Sequence, residues 1–351
     1  MTNTDAFELT TRIGHGALGE VWKGRHTATG QPVAIKIFTG RTLWNASSWT
    51  RFEAEAVRLA GLNHPGLVAA LDWGCVPLSW LERFERPEQV VGRPFLVSEL
   101  VDGVFIADHC DDLQWDAVVP LVAELLDALG HLHARGILHL NLKPNNLFVE
   151  HHRLRLTDAI FVCDLGPGPR VGAIGPSRYC APEQLYGRWR DCGPWTDLYG
   201  VGGLIRRLIT GHDPEGHRSE QAQPPVYSPK FAVPEGLSAW IQSLLAERVD
   251  DRPHSTAEAM ASLRELEPNV PLLNPPPRVS HLITAPWSEG KRWVWPQVNR
   301  TVEHDVALAW VDRQLSRATQ PAALVISGDE AQGRSTLLGD LRARIHHQTG
   351  I

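Results

Sequence analysis

Lysine is scarce in this sequence, with five residues at positions 23, 36, 143, 230 and 291 among 34 basic side chains. Where the chain otherwise uses arginine, the compact ammonium groups at Lys36 and Lys143 look specifically placed. Cysteine is sparse too. Cys75, Cys110, Cys163, Cys180 and Cys192 form no CxxC pair, which argues against a zinc site or a disulfide framework and fits free thiols in a reducing cytosol. No apolar run approaches the ~20 residues that a membrane span needs. The start, MTNTDAFELT, has neither the basic opening nor the apolar core of a signal peptide. A cytoplasmic location with no membrane partner is therefore expected. Basic charge is not in excess either: the net charge of -6 supplies no footprint for nucleic acid, which leaves proteins and nucleotides as the expected partners.

The 351 residues exceed what one hydrophobic core usually serves, so two domains, or one large two-lobed domain plus a segment, are expected. Apolar alternation around Val21 and from Val33 to Ile37, with Thr29-Gly30 between, predicts a β-hairpin. Phe52, Ala56, Leu59 and Leu62 then fall at helical spacing, with Ser47 or Ser48 as the expected cap and Asn63-His64-Pro65 as the stop. Leu67–Trp73 and Pro94–Leu100 read as strands around a polar insertion near Glu82–Glu88, expected as a loop or short helix. From Trp115 the pattern turns helical. Val118, Leu121, Val122, Leu125, Leu126, Leu129 and Leu132 form a wide stripe closed by Gly136, and further helices are expected at Asp197–Ile209, Leu237–Leu245 and Ala257–Leu266. Ser255 and Glu258 are placed as a capping box for the last.

Gly14-His15-Gly16-Ala17-Leu18-Gly19, with Val21 two residues on, matches GxGxxGxV, in which glycines let backbone amides approach phosphates. A dinucleotide-binding turn would open a helix at the third glycine, whereas strand-like alternation here continues into Val33-Ala34-Ile35-Lys36. Further along lie Glu55-Ala56 ahead of Leu62-Asn63-His64-Pro65, His139-Leu140-Asn141-Leu142-Lys143-Pro144-Asn145-Asn146, Asp158-Ala159-Ile160, Ala181-Pro182-Glu183, Asp197 and Arg252.

In this order and spacing, the chain to about residue 265 resembles the bacterial eukaryotic-like serine/threonine protein kinases. The resemblance implies an α+β, bilobal protein-kinase fold over 5–267: a small β-rich lobe over about 5–101 and a mainly helical lobe over about 102–267. It implies ATP and Mg2+ as cofactors and a protein substrate or signalling partner. Gly14, Gly16, Gly19, Val21 and Ala34 would line the nucleotide, and Lys36 would meet its α- and β-phosphates. Glu55, preferred over its neighbour Glu53, would pair with Lys36. Adenine would meet the backbone of Glu99-Leu100-Val101, with Ser98 guarding the pocket behind. Lys143 would neutralise the transferring phosphoryl group, and Asn146 and Asp158 would ligate magnesium; Asp164, ahead of Leu165-Gly166, is the alternative to Asp158. Glu183 would pair with Arg252, and Asp197 would anchor the catalytic loop.

Two departures from the family pattern bear on activity. Leu140 stands where an arginine usually binds a phosphorylated activation loop, so control by loop phosphorylation is not expected. Asn141 stands where the general-base aspartate belongs, and a neutral amide can orient a hydroxyl but not accept its proton. Base catalysis typically contributes about 10²- to 10⁴-fold. Because positioning and electrostatics dominate phosphoryl transfer, two functions stay open: an impaired kinase, or a nucleotide-binding pseudokinase that serves as a switch or scaffold for a C-terminal signalling NTPase.

Prolines 268, 271, 275, 276 and 277 mark a linker over 268–300. In the segment 301–351, Ala322–Ile326 reads as a buried strand, and Gly328 to Ser335 looks like the P-loop GxxxxGK[ST] with Arg334 in place of lysine. Gly328, Gly333, Arg334 and Ser335 are thus a second nucleotide site or a bare strand-turn-helix. About sixteen residues follow Ser335, so the segment is expected to be the start of a longer NTPase-like domain, a remnant, or a tail that docks on the rest.

Overall fold

The computed structural model describes residues 6–16, 19–39, 46–109, 113–158, 178–214 and 228–270. The linker beyond 270, the P-loop-like residues Gly328, Gly333, Arg334 and Ser335, the pair Ala159-Ile160 and the alternative Asp164 lie outside them.

Strands β1 (Phe7–Gly16), β2 (Gly19–His26) and β3 (Pro32–Ile37) run as an antiparallel meander, with Val21 opposite both Gly14 and Lys36. On β3 the pleat puts Val33, Ile35 and Ile37 on a fully buried face, which leaves Ala34 and Lys36 half-buried on the other. Helix α1 (Ala46–Ala60) follows, then β4 (Ala70–Cys75) and β5 (Pro94–Glu99), in the sheet order β1-β2-β3-β5-β4.

Phe52, Ala56, Leu59 and Ala60 are the buried stripe of α1, as the spacing requires. The expected serine cap is corrected: α1 already includes Ala46, so Ser47 and Ser48 lie in its first turn. The predicted strand at Leu67 is also corrected. Leu67 and Val68 instead bridge β8 (Arg153–Leu156), and β4 proper begins at Ala70. The polar insertion folds into two 3-10 turns, Leu78–Arg83 and Pro87–Gln89. Trp80 anchors it, buried against Phe95 and donating from Nε1 to the Phe7 carbonyl at 3.1 Å.

Strand β6 (Val104–Phe105) pairs with β7 (Leu147–Glu150), which pairs with β8, giving a second, three-stranded sheet. The short α2 (Ile106–His109) and the long α3 (Trp115–His133) lie between β6 and β7 in sequence. The whole predicted stripe of α3 is buried. At roughly 1.5–3 kcal/mol for each large apolar side chain removed from water, this helix organises the main core. That core reaches from Phe52 and Leu59 of α1 through α3 to the last helices.

Helix α4 (Pro182–Leu185) and α5 (Pro194–Thr210) come next. Gly211, at φ 78°, closes α5 in the left-handed conformation that glycine adopts without strain. Helices α6 (Leu237–Leu244) and α7 (Thr256–Leu266) complete the helical part. The predicted capping box is half made: Ser255 Oγ accepts from Glu258 N at 3.2 Å, but the Glu258 carboxylate accepts from His254 N at 2.7 Å. A β-rich first part and a mainly helical second part match the architecture that the sequence implies.

Candidate active site

The segment His139–Asn146 has few ladder bonds of its own and is held from behind. Asp197, in the first turn of α5, is fully buried and accepts three hydrogen bonds: His139 N at 2.8 Å, Leu140 N at 2.6 Å and His133 Nε2 at 2.8 Å. Two successive amides reach one carboxylate because Leu140 adopts φ 56°, a left-handed turn that a branched side chain rarely accepts. Burial alone would raise the Asp197 carboxyl, but the His133 hydrogen bond and charge and the nearby His139 outweigh it and hold it below the usual carboxylate range.

His139 is locked in one tautomer. Its Nε2–H donates to the Thr157 carbonyl at 3.1 Å, so its Nδ1 accepts from Asn141 N at 3.3 Å. Burial keeps this imidazole neutral, below its ordinary range, against the opposing pull of Asp197. The Thr157 amide in turn donates to the Asn146 carbonyl at 2.9 Å. The end of β8 and the loop are thereby fastened side by side.

Four predicted residues meet at this junction. Asp158, one residue beyond Thr157 at φ 58°, places Oδ1 at 2.8 Å from Lys36 Nζ on β3. Burial would raise the Asp158 carboxyl; Lys36, by charge and hydrogen bond, and Lys143 bring it below its usual value. Lys143 is half-buried, and desolvation lowers its ammonium while Asp158 supports the charge and Lys36 opposes it. Asn146 spends its Nδ2 on the Asn141 carbonyl at 2.7 Å, which leaves Oδ1 as the acceptor atom of that amide. Asn141 itself is buried, in the loop beside Lys143.

The expected Lys36–Glu55 ion pair is not formed in this structure. Among the described residues, Lys36 pairs with Asp158, and Glu55 pairs with Arg58 at 3.0 Å. The reason is local: residues three apart on a helix are neighbours, and Arg58 is itself tethered to the Gly136 carbonyl at 3.2 Å.

The glycine-rich turn divides by role. Gly19 has φ 151°, and a Cβ there would fall 1.9 Å from the Ile37 carbonyl oxygen, so the protein itself requires this glycine. A Cβ on Gly14 would make ordinary contact with Val21, and one on Gly16 would meet nothing within 4 Å among the described residues. At the far end of the sheet, Ala34 lies opposite Ser98, and Val33 opposite Glu99, where β5 gives way to Leu100 and Val101.

Sequence reasoning missed three contributors. Phe148, two residues past Asn146, stacks on Phe105 with centroids 4.2 Å apart. Its signal was alternation on a strand only four residues long. Gln184, next to Glu183, donates from Nε2 to the Leu140 carbonyl at 2.9 Å and helps enclose a small pocket with Asn141, Lys143, Tyr179 and Cys180. Arg155, on β8, joins the segment around Glu99 to β7. Beneath this pocket Arg252 meets Glu183 through two bonds of 2.9 and 3.0 Å, both side chains buried, while Thr196 Oγ1 donates to the same carboxylate at 2.7 Å.

Comparisons with known proteins bear on the family and the fold. The family model described as "Protein kinase domain" matches residues 7–263. Serine/threonine-protein kinase Pkn1 of Myxococcus xanthus is 31% identical over 272 residues, which cover 72% of this chain and 37% of that protein. Serine/threonine-protein kinase PknB of Mycolicibacterium smegmatis is 29% identical over 279 residues, covering 74% and 43%. The chain thus spans less than half the length of these two relatives. Among solved structures, the kinase domain of PknI from Mycobacterium tuberculosis superposes with a TM-score of 0.57 at 24% identity, covering 74% of this chain and 95% of that one.

Proposed function

The chain belongs to the protein kinase domain family, and from that premise we propose that it binds ATP with magnesium and transfers the γ-phosphate to a serine or threonine hydroxyl of a protein, slowly. The observation that carries this reading is the approach of Lys36 to Asp158, 2.8 Å apart and beside Lys143. A phosphate cradle needs its cations and its metal carboxylate within reach of one another, and these three come from β3, the catalytic loop and the end of β8.

Each residue then takes a role. Gly14, Gly16, Gly19, Val21 and Ala34 line the nucleotide, the half-buried Phe148 supplies an apolar surface for the base, and the backbone from Glu99 to Val101 receives adenine. Lys36 holds the α- and β-phosphates. Asn146 Oδ1 and the Asp158 carboxylate are hard oxygen donors of the kind that magnesium takes, and fit it. When bound, the metal neutralises charge on the β- and γ-phosphates. Lys143 meets the phosphoryl group in flight. Asn141 orients the acceptor hydroxyl in the pocket with Tyr179 and Gln184, and the hydroxyl proton leaves to a phosphoryl oxygen or to solvent, since the amide cannot take it. Glu55 reaches Lys36 only after leaving Arg58. The unit that does this spans about 5–267 and acts in the cytoplasm, where its ATP is.

Asn141 specifically favours a second reading, in which the lobes bind nucleotide and signal by shape without transfer. One preparation separates the two. Mg-ATP binding and release of label from γ-labelled ATP to a generic basic protein are measured for the wild type and Lys36→Ala. Transfer that the variant abolishes supports the kinase; binding without transfer supports the scaffold.

A further inference from the structure

Arg155 is a side chain to which the chemistry above gives no task, yet it is built into the molecule more firmly than several that have one. Its guanidinium lies with only 18% of the side chain exposed, between two carboxylates, Glu99 and Glu150, exposed by 18% and 19%. Nη2 contacts Glu99 Oε1 and reaches the Leu67 carbonyl at 3.4 Å, and Nη1 donates to Glu150 Oε2 at 2.9 Å. Each carboxylate holds a backbone amide as well: Glu99 accepts from Ala69 N at 2.8 Å, and Glu150 from Asp102 N at 2.9 Å. The Glu99 amide closes the circuit on the Ala69 carbonyl at 3.0 Å.

One guanidinium therefore ties together four stretches of chain. They are the connection from α1 to β4, the end of β5, the start of the helical part at Asp102, and the β7–β8 hairpin. Glu99 and Asp102 bracket Leu100 and Val101, the segment whose backbone is to receive adenine. The two cluster carboxylates hold the chain at either end of that segment, and Arg155 holds the carboxylates. Desolvated charges this close are strongly coupled, and losing one partner strands the others.

We propose that Arg155 is a positioning residue for the nucleotide, which through Glu99 and Glu150 fixes the backbone at Glu99–Val101 in the arrangement that accepts adenine. It touches no substrate atom; it presets the receptor, so that ATP need not order the segment on binding. The inference rests on the nucleotide reading above and deepens it. It predicts a split by ligand: a ligand with an adenine depends on the cluster, whereas one with phosphates alone, held by Lys36, Asn146 and Asp158, does not.

The test is calorimetric titration of the full chain with Mg-ATP and, separately, with magnesium tripolyphosphate, for the wild type, Arg155→Leu, Arg155→Lys and Glu99→Gln. Arg155→Leu and Glu99→Gln are expected to weaken ATP roughly tenfold, within the usual range for coupling between sites. Tripolyphosphate should shift by less than about twofold on the same scale, and Arg155→Lys, which keeps the charge but not the fork, should fall between. Should Arg155→Leu not fold, Glu99→Gln carries the same comparison. Unchanged ATP affinity in folded variants, or equal loss for both ligands, overturns the proposal and leaves the nucleotide reading standing. A wild type that binds neither ligand overturns both.

Discussion

The carboxylate of Asp158 lies 2.8 Å from the ammonium of Lys36, a contact between residues 122 apart in sequence. Neither group is at the surface, with side chains 28% and 14% exposed, and Phe38 places its ring 5.8 Å below the ammonium. Each charge is the other's compensation for lost solvation. Hydrogen bonds to charged groups contribute about 1.5–3 kcal/mol, or roughly 10- to 100-fold in an equilibrium constant. Lys36→Ala should therefore weaken Mg-ATP by that order and let the Asp158 carboxyl rise from its lowered value. Carboxyl titration followed by NMR would detect the rise; an Asp158 that titrates unchanged in the variant would mean the contact does not govern it.

Gly16 and Gly19 should part company under the same substitution. A methyl at Gly19 collides with the Ile37 carbonyl, so Gly19→Ala is expected to lower the melting temperature by several degrees through backbone strain of about 1–3 kcal/mol. A methyl at Gly16 meets no described residue, so Gly16→Ala is expected to melt with the wild type and lose affinity for nucleotide alone. Thermal melts with and without Mg-ATP distinguish them, and equal melting temperatures for the two variants would contradict the assignment.

The Glu183–Arg252 pair is buried and doubly bonded, and Arg252 also stacks 4.9 Å from the Tyr199 ring. Removal of one partner leaves an uncompensated charge in the core, at a cost of about 3–5 kcal/mol. Arg252→Ala should show this in urea unfolding. The double variant Glu183→Gln with Arg252→Met should lose less than the single one, because it strands no charge. A double variant less stable than Arg252→Ala would argue that the pair is net stabilising.

Much of this site is legible in the amino-acid sequence. Residue type and order single out Lys36, Asn146 and Asp158, which the fold brings to one junction, and the α3 stripe carries its burial in its period. What is not legible depends on competition between neighbours. Glu55 can be placed on its helix by sequence, but its choice of Arg58 over Lys36 turns on where Arg58 is tethered, a carbonyl 78 residues away. Phe148 and Arg155 sit on four-residue strands, too short for a period to show. Arg155 moreover reads as a surface cation until its partners, Glu99 and Glu150, are known to converge on it.

Stability should fall as the solution is acidified, in two windows. The buried His139 has its folded value depressed, so around and below the ordinary imidazole range, near 6.5, the unfolded chain takes a proton that the folded chain refuses. Asp158 and Asp197 are also depressed, so their contribution is present above the ordinary carboxylate value of about 3.9 and is lost as pH falls toward their folded values. Glu124, raised mainly by burial, opposes them, since its contribution weakens as pH rises through the same region. The urea midpoint is expected to drop between about pH 7 and 5 through His139, and more steeply below about 4. His139→Gln should flatten the first window. A midpoint that holds steady from 7 to 5 would show that His139 takes up its proton without unfolding.

Asn141→Asp asks the most direct question of the chemistry. The loop that holds position 141 is fixed by the Asp197 carboxylate and by the amide of Asn146, whose Nδ2 donates to the backbone carbonyl of Asn141 and so does not depend on its side chain. The substitution is close to isosteric and leaves those bonds in place. It supplies a proton acceptor in the small pocket that Lys143 also lines. If the missing base is the main obstacle to transfer, turnover should rise by about 10²- to 10⁴-fold with little change in ATP affinity. The variant's rate should also fall in acid as the new carboxylate protonates, with that limb absent from the wild type. An unchanged rate would move the obstacle to Glu55, held on Arg58, and Arg58→Ala would then be expected to raise turnover where Asn141→Asp had not.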